Sequence, residues 1–260
     1  MFGVVPKVLW SKRIEADERN MIDQVARCLL VESGGQNILI DTGYGSKLEA
    51  KQQRNHCTES GDPLRVSLDE CGLTPEDIDT VILSHLHFDH AGGGTMIGAR
   101  QQILPTFPNA VYFVQKGEWE TATSGRLEIQ AAYPQENMLA LQDSGQLKML
   151  QGEQEIVPGI RSLITPGHTA WHQSLLIESE GKTAVFLADL CPTWHHLPSL
   201  WCTAYDVDLL ATRRRKPVIL GQIADNDWLA ISDHDPDYAA ARLQRDARAE
   251  FVIVDPQKEL

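Results

Sequence analysis

Short apolar runs, separated by glycine, proline and polar residues, dominate the pattern along this chain. Residues 27–33 and 37–40 are two such runs around a Gly-Gly pair, and they predict a β-hairpin. Residues 173–178 and 183–188 flank a Glu-Gly turn and predict a second hairpin. Further strands are predicted at residues 80–83, 110–114, 147–150, 155–157, 161–164 and 228–232. The apolar pattern therefore indicates a protein rich in β-structure.

Helical patterns lie between and after these strands. They are predicted at residues 66–71, 74–78, 116–123, 126–132 and 208–224, with Pro217 kinking or starting the last helix. Residues 240–254 fit either a helix or a hairpin, and residues 45–63 are polar, in a loop long enough to act as a lid. No linker divides the chain, so we expect a single domain over residues 1–260, with two sheets packed face to face and helices outside.

Four groups that can bind a metal lie within the heptapeptide Ser84-His-Leu-His-Phe-Asp-His90, directly after the apolar strand at residues 80–83. Residues two apart on an extended chain point the same way, so His85 and His87 can face one point. Asp89 and His90 follow where the chain turns into three glycines. Imidazole and carboxylate suit zinc, iron or manganese. One histidine alone is more often a core residue, but this density favours a metal site.

Three more candidates each follow a predicted strand: His168 after a Pro-Gly turn, Asp189 after Phe-Leu-Ala, and His234 after Ile-Ser-Asp. Burying an acid at the end of so apolar a strand is costly unless a cation or donor compensates it. Each of the three by itself fits a structural role better than a metal-binding one. Their appearance in this order after the histidine run favours one shared metal site.

The charge and the cysteine content of the chain limit which partners and which cellular location are expected. The net charge is −13 and the pI about 5.1, so a nucleic-acid partner is not expected, and the basic run 213–216 fits a solvated helix face. We see neither an apolar run long enough for a membrane span nor a signal peptide. Five cysteines without a Cys-x-x-Cys pair fit reduced thiols, and we therefore expect a cytoplasmic protein.

The run from His85 to His90 resembles the HxHxDH signature of the metallo-β-lactamase superfamily, and the resemblance extends over residues 27–236. It implies an α/β (α+β) fold, the αββα sandwich of two packed mixed sheets flanked by helices, and a hairpin at residues 240–254. It also implies that Asp41 orients the metal ligands. The implied ligands of one metal are His85, His87 and His168; those of the second are Asp89, His90 and His234; Asp189 bridges the two.

This resemblance implies a hydrolase that uses two divalent metal ions. Zinc is the expected metal, and manganese, iron and cobalt are alternatives. A metal-bridging hydroxide would cleave a lactone or ester, and Asp89 would relay a proton to the leaving group. Residues 165–174 are similar to the branch of acyl-homoserine-lactone lactonases and organophosphate hydrolases. A phosphotriester is the alternative substrate. An iron-binding oxidoreductase or a non-catalytic metal-binding protein is the alternative of another class.

The aromatic segment 192–201 is the candidate substrate wall. Pro192 stands where several lactonases have a substrate-contacting tyrosine, and candidates to replace that tyrosine as a catalytic donor are His195, His196 and Tyr205. An equally good interpretation is a loop whose tryptophans plug the core. The remaining pocket candidates are Phe88, Phe107, Trp171, Trp194 and Trp201. The expected partner is a small ester or lactone, with neither nucleic acid nor membrane, and the lactonase branch also suggests a homodimer.

Overall fold

The structure is a computed structural model that describes residues 1–260, apart from the side chains of residues 136 and 137. Two compact units are distinguished, one formed by residues 28–151 and the other by residues 1–27 together with 152–260. The N-terminal segment has one short helix, α1 (Lys7–Trp10), and residue Phe2 bridges to Thr203 of the same unit. No helix among the described residues is both long and apolar enough to cross a lipid bilayer.

The 28–151 unit contains a five-stranded mixed sheet and a separate two-stranded ribbon. The sheet has the order β1-β2-β3-β6-β7, in which only the β1–β2 pair is antiparallel. The ribbon is β4–β5. The strands are β1 (Leu29–Ser33), β2 (Gln36–Ile40), β3 (Thr80–Ile82), β4 (Thr95–Ile97), β5 (Ile103–Pro105), β6 (Val111–Gln115) and β7 (Leu147–Leu150).

The helices of this unit are α2 (Ala50–His56), α3 (Pro63–Glu70), α4 (Phe88–Ala91), α5 (Lys116–Ala122) and α6 (Gln135–Asp143). All three residues of β3 are buried, as is usual for a central parallel strand that is covered on both faces. Because β2 and β3 are parallel and in register, Asp41 and Ser84 emerge at the same edge of the sheet. The metal-binding run follows at that edge.

The other unit contains a seven-stranded mixed sheet with the order β14-β13-β12-β11-β10-β9-β8. Its strands are β8 (Glu155–Val157), β9 (Ile160–Ile164), β10 (Gln173–Ser179), β11 (Lys182–Phe186), β12 (Leu229–Ile231), β13 (Ala240–Asp246) and β14 (Glu250–Gln257), and its long helix is α7 (Leu209–Asp225). The β11–β12 pair is parallel, so the chain leaves both strands at one edge. Asp189, Asp233 and His234 follow at that edge, and His168 lies in the β9–β10 connection.

Most predicted elements are confirmed, including the hairpin of β13 and β14 and the placement of Pro217 inside α7. The helix predicted at residues 126–132 is wrong: this segment forms successive turns, and the carbonyl of Ala132 accepts the amide of Phe88. The helix instead follows Pro134 as α6. The polar segment 45–63 contains α2, which the sequence pattern did not indicate.

Candidate metal centre

Asp41 organises the edge of the 28–151 sheet. Its carboxylate accepts hydrogen bonds from the Ser84 amide (2.7 Å), the Ser84 hydroxyl (2.7 Å) and His90 Nδ1 (2.9 Å). Asp41 is buried and has a left-handed backbone (φ 57°), a conformation that Asp tolerates better than most residues. A carboxylate can only accept here, so His90 carries its proton on Nδ1 and presents Nε2 as the metal-binding nitrogen.

His85 and His87 lie beside His90. The ring centroids of His85 and His90 are 4.0 Å apart, and those of His85 and His87 are 4.6 Å apart. The three imidazoles are buried. The backbone between His85 and His87 is held by the fully buried Glu118, whose carboxylate accepts the Leu86 amide (3.1 Å) and the Tyr133 hydroxyl (3.1 Å). The sequence pattern did not single out Glu118, because a Glu near the start of a helix is ordinarily solvated.

His168 is oriented by a second carboxylate that sequence reasoning missed. Its Nδ1 donates to Asp206 (3.2 Å), which also accepts the Thr203 hydroxyl (2.6 Å). Its Nε2 lies 2.8 Å from an oxygen of Asp189. Burial lowers the pKa of His168, but the neighbouring Asp189 and Asp206 outweigh this and raise the pKa to about 10. In the metal-free protein a proton therefore stands on Nε2, where a metal would otherwise bind.

His172 holds the backbone of Asp189 through a hydrogen bond. The amide of Asp189 donates to Nε2 of His172 (3.1 Å), and Nδ1 of His172 lies 2.8 Å from the Thr165 hydroxyl. His172 is fully buried. It therefore acts as a positioning residue for the loop of Asp189, and the sequence hinted at it only through its place in the 165–174 block.

His234 completes the set of oriented histidines. Its Nδ1 donates to the Val25 carbonyl (2.6 Å). Its Nε2 lies 3.4 Å from oxygens of both Asp189 and Asp233. All three residues are buried. An imidazole nitrogen facing two carboxylates needs a cation or a proton to be stable.

The donor set fits divalent metal ions. His90, His168 and His234 each have Nδ1 held by an acceptor, the outer hydrogen bond that fixes the tautomer of metal-binding histidines. Each unit has its own buried side chains that could bind a metal: His85, His87 and His90 in the 28–151 unit, and His168, Asp189, Asp233 and His234 in the other. Nitrogen and carboxylate ligands in this proportion suit zinc and its neighbours in the first transition row.

The unit that contains His234 has one buried acid beside it that is not in the expected ligand set. This residue is Asp233, whose carboxylate lies 3.4 Å from His234 Nε2. Asp89 is partly exposed, and its carboxylate lies 3.9 Å from His90 Nε2. The assignment of Asp89 as ligand and proton relay stays a prediction. In the sequence, Asp233 is an acid directly after a predicted apolar strand and next to His234, the same signal that marks Asp189.

Several substrate candidates prove to be core residues. Phe107 is fully buried within the hydrophobic core of the 28–151 unit, so the prediction that it lines a pocket is corrected. Trp194 is buried, packs in the core around α7 and donates its indole N–H to the Tyr238 carbonyl (3.0 Å). His196 is fully buried, stacks on Phe2 with centroids 4.7 Å apart, and has a pKa held well below its usual value by burial. For Trp194 and His196 the core-filling interpretation fits better.

The remaining candidates are more accessible. His195 is half-buried beside Phe2, and burial lowers its pKa. Trp201 packs against Phe2 on one side, and the guanidinium of Arg13 lies 4.4 Å from its ring. Tyr205 and Trp171 are exposed. These placements leave their substrate roles as predictions.

Phe88, between two predicted ligands, is half-buried and has aromatic neighbours. Its ring centroid is 4.9 Å from that of His56 and 5.6 Å from that of Tyr44. His56 is exposed at the end of α2, yet its ring contacts Phe88. The segment 45–63 therefore contributes to the surface beside the metal ligands of its own unit.

Comparison with known proteins identifies the family and the fold. Residues 23–220 match the family described as the Metallo-beta-lactamase superfamily. An N-acyl homoserine lactonase from Bacillus cereus is 34% identical over 179 residues, which cover 65% of this chain and only 64% of that lactonase. The fold is similar to a probable metal-dependent hydrolase from Staphylococcus aureus (TM-score 0.86, 33% identity, 98% of this chain and 91% of that one). It is also similar to an N-acyl homoserine lactone hydrolase with N-hexanoyl-L-homoserine bound at its catalytic metal center (TM-score 0.63, 26% identity, 82% of each chain).

Proposed function

Since the chain belongs to the metallo-beta-lactamase superfamily, with the mixed-sheet fold that the sequence predicted, we propose that it is a two-metal hydrolase that opens a lactone ring. The relatives of known activity are lactonases, and they are matched over 64% of their length. The substrate class proposed here is an N-acyl homoserine lactone or a similar small cyclic ester.

The main support is that each unit carries buried, oriented side chains that suit a metal: His85, His87 and His90 in one, and His168, Asp189 and His234 in the other. In the proposed centre His85, His87 and His168 would hold one ion. His90 and His234 would hold the other together with Asp89, and Asp189 would serve both. When bound, two such ions lower the pKa of water and polarise a carbonyl oxygen. This chemistry needs no nucleophilic serine or cysteine.

The protein's own contribution is to orient and insulate the ligands. Asp41, Asp206 and the Val25 carbonyl fix three histidines as Nδ1–H tautomers. His172 and Glu118 hold the backbone at Asp189 and Leu86. Three of these hydrogen bonds are buried and those of His168 and His234 are partly buried, so competition from water at the ligands is limited. Asp89 is partly exposed, which suits the proposed transfer of a proton to the departing alkoxide.

The acyl side of the substrate is proposed to contact Phe88, with His195 and Tyr205 as the polar candidates on the 192–205 segment. His195 has a pKa lowered by burial and is therefore neutral at pH 7, so it could donate a hydrogen bond without adding charge. Phosphotriester hydrolysis remains the alternative, because the same metal set could polarise a phosphoryl oxygen. A cytoplasmic location is proposed from the five free cysteines.

The deciding experiment is reconstitution. The protein is treated with a chelator until elemental analysis finds no metal. Lactone ring opening is then measured from the protons that it releases. We expect no turnover without metal and recovery with Zn²⁺, Mn²⁺ or Co²⁺. Full activity in the metal-free protein contradicts the proposal, and bound iron with oxygen-dependent redox turnover supports the oxidoreductase alternative.

A substrate panel separates the remaining options. The reloaded protein is tested on short- and long-chain homoserine lactones, aryl esters and an aryl phosphotriester. The proposal expects the highest kcat/KM on a lactone. His85→Ala should lose turnover while the metal-free variant unfolds at the same temperature as metal-free wild type, which separates loss of a ligand from loss of fold.

A further inference from the structure

The loop after β12 places two adjacent metal-binding side chains, Asp233 and His234, at the edge where Asp189 follows β11. The amide of Leu187 donates to the carbonyl of Ile231, so the two loops leave the sheet side by side. Asp233 and Asp189 are both buried. Their carboxylates approach the same nitrogen, His234 Nε2, each at 3.4 Å.

The hydrogen bond of His234 sets which of its nitrogens faces the two carboxylates. A carbonyl oxygen only accepts, so Nδ1 carries the proton that it donates to Val25. Nε2 therefore points toward oxygens of Asp189 and Asp233, each 3.4 Å away. Two carboxylates and one imidazole, all buried and all in one unit, thus converge, and these are ligand types that divalent ions take.

We propose that Asp233 is a metal ligand, which adds a third carboxylate to Asp89 and Asp189 at the ion held by His234 and biases that position toward harder ions such as Mn²⁺. This proposal rests on the proposed metal-dependent function. Carboxylate oxygens favour magnesium and manganese over softer ions more than imidazole does. A further carboxylate on one ion also brings a further negative charge, which strengthens its hold on any divalent cation.

An alternative role for Asp233 is charge compensation of Arg27. The Arg27 guanidinium donates to the carbonyls of Ser232 (2.8 Å) and Asp235 (3.2 Å), on either side of the Asp233–His234 pair, and is close enough to Asp233 for their charges to interact. The two roles predict different effects of removing the charge. A ligand matters only when metal is bound, whereas a partner of Arg27 stabilises the metal-free protein.

The test uses Asp233→Asn, which keeps the size of the side chain and removes the charge. The matched control is Asp237→Asn, the same change at an exposed position four residues later. Zn²⁺ and Mn²⁺ are titrated into stripped protein in competition with a chelator, and the visible absorption of the Co²⁺-loaded protein reports the coordination of each ion. Thermal unfolding is measured with and without metal.

We expect Asp233→Asn to weaken one of the two Zn²⁺ sites at least about tenfold and the corresponding Mn²⁺ site by more. The gain in Tm on Zn²⁺ saturation should shrink by about 3–5 °C, while the metal-free Tm is unchanged or higher because two crowded carboxylates become one. The Co²⁺ spectrum should change, the control should match wild type, and Asp233→Glu should recover part of the affinity.

Two wild-type-like sites and an unchanged Co²⁺ spectrum in Asp233→Asn would overturn the assignment, whatever happens to the metal-free Tm. A lowered metal-free Tm with unchanged affinity identifies the Arg27 role instead. If the wild-type protein binds no divalent ion, the proposed function is wrong as well. If wild type and variant both bind two ions with equal affinity, only the assignment of Asp233 is wrong.

Discussion

Replacing Asp41 by Asn tests whether a residue outside the proposed ligand set orients the proposed ligand His90. Asp41 Oδ1 accepts the Ser84 amide, and Oδ2 accepts both the Ser84 hydroxyl and His90 Nδ1. Asn has one oxygen and one NH₂ group. If the oxygen keeps the Ser84 amide, the NH₂ group faces Nδ1–H of His90, and two donors oppose each other. His90 relieves this by moving its proton to Nε2, which is then unable to bind a metal.

The expected size of the effect follows from the hydrogen bonds. Losing the outer partner of a metal-bound histidine typically costs 10–100-fold in metal affinity, about 1.4–2.7 kcal/mol. The fold should persist, because Asn tolerates the left-handed backbone at residue 41. Asp41→Ala is a poorer test. It adds about 1–2 kcal/mol of backbone strain and about 1–3 kcal/mol for the Ser84 amide left without its acceptor.

The assay is Zn²⁺ binding in competition with a chelator, with ¹⁵N-histidine NMR to identify the tautomer of His90. Asp79→Asn is the matched control, because Asp79 also accepts a backbone amide, that of Asn37 (2.8 Å), in the same unit. We expect weaker Zn²⁺ binding and an Nε2–H resonance of His90 in Asp41→Asn, and neither change in Asp79→Asn. Wild-type affinity together with an Nδ1–H tautomer in that variant would refute the reasoning.

Three further outcomes are expected. Phe107→Ala should lower the free energy of unfolding by about 3–5 kcal/mol in chemical denaturation, without a selective rise in KM. Phe88→Ala should raise KM for long-chain lactones with little loss of stability. The opposite pattern would indicate that Phe107 lines the pocket. Gly93→Ala should lower the free energy of unfolding by about 1–3 kcal/mol, because the added Cβ would collide with a neighbouring backbone carbonyl. Gly94→Ala should lower it less in the same measurement, because the nearest atom to its added Cβ is a side-chain carbon at 3.4 Å. Lys216→Met should lower the Tm because the fully buried ammonium donates to two backbone carbonyls (2.8 and 2.5 Å); an unchanged Tm contradicts this.

Aromatic residues show where sequence reasoning reached its limit. Phe88 and Phe107 are equally apolar in the sequence, yet one is half-buried beside His56 and the other lies in the core. Composition records that a side chain avoids water but not which neighbours cover it. The same holds for residues 126–132, whose helical composition is overridden by the hydrogen bond between Ala132 and Phe88.

The local chemistry of the metal-binding run can be read from the order of its residues. His85, His87, Asp89 and His90 are close in the chain, and the glycines and strands around them are short-range signals, so their clustering could be predicted from spacing alone. The partners that orient these ligands were decided only by the tertiary structure. Asp41 reaches His90 across 49 positions, Asp206 reaches His168 across 38, and Glu118 reaches Leu86 across 32. Such pairs depend on how strands pack and in which register, and no local pattern specifies that packing.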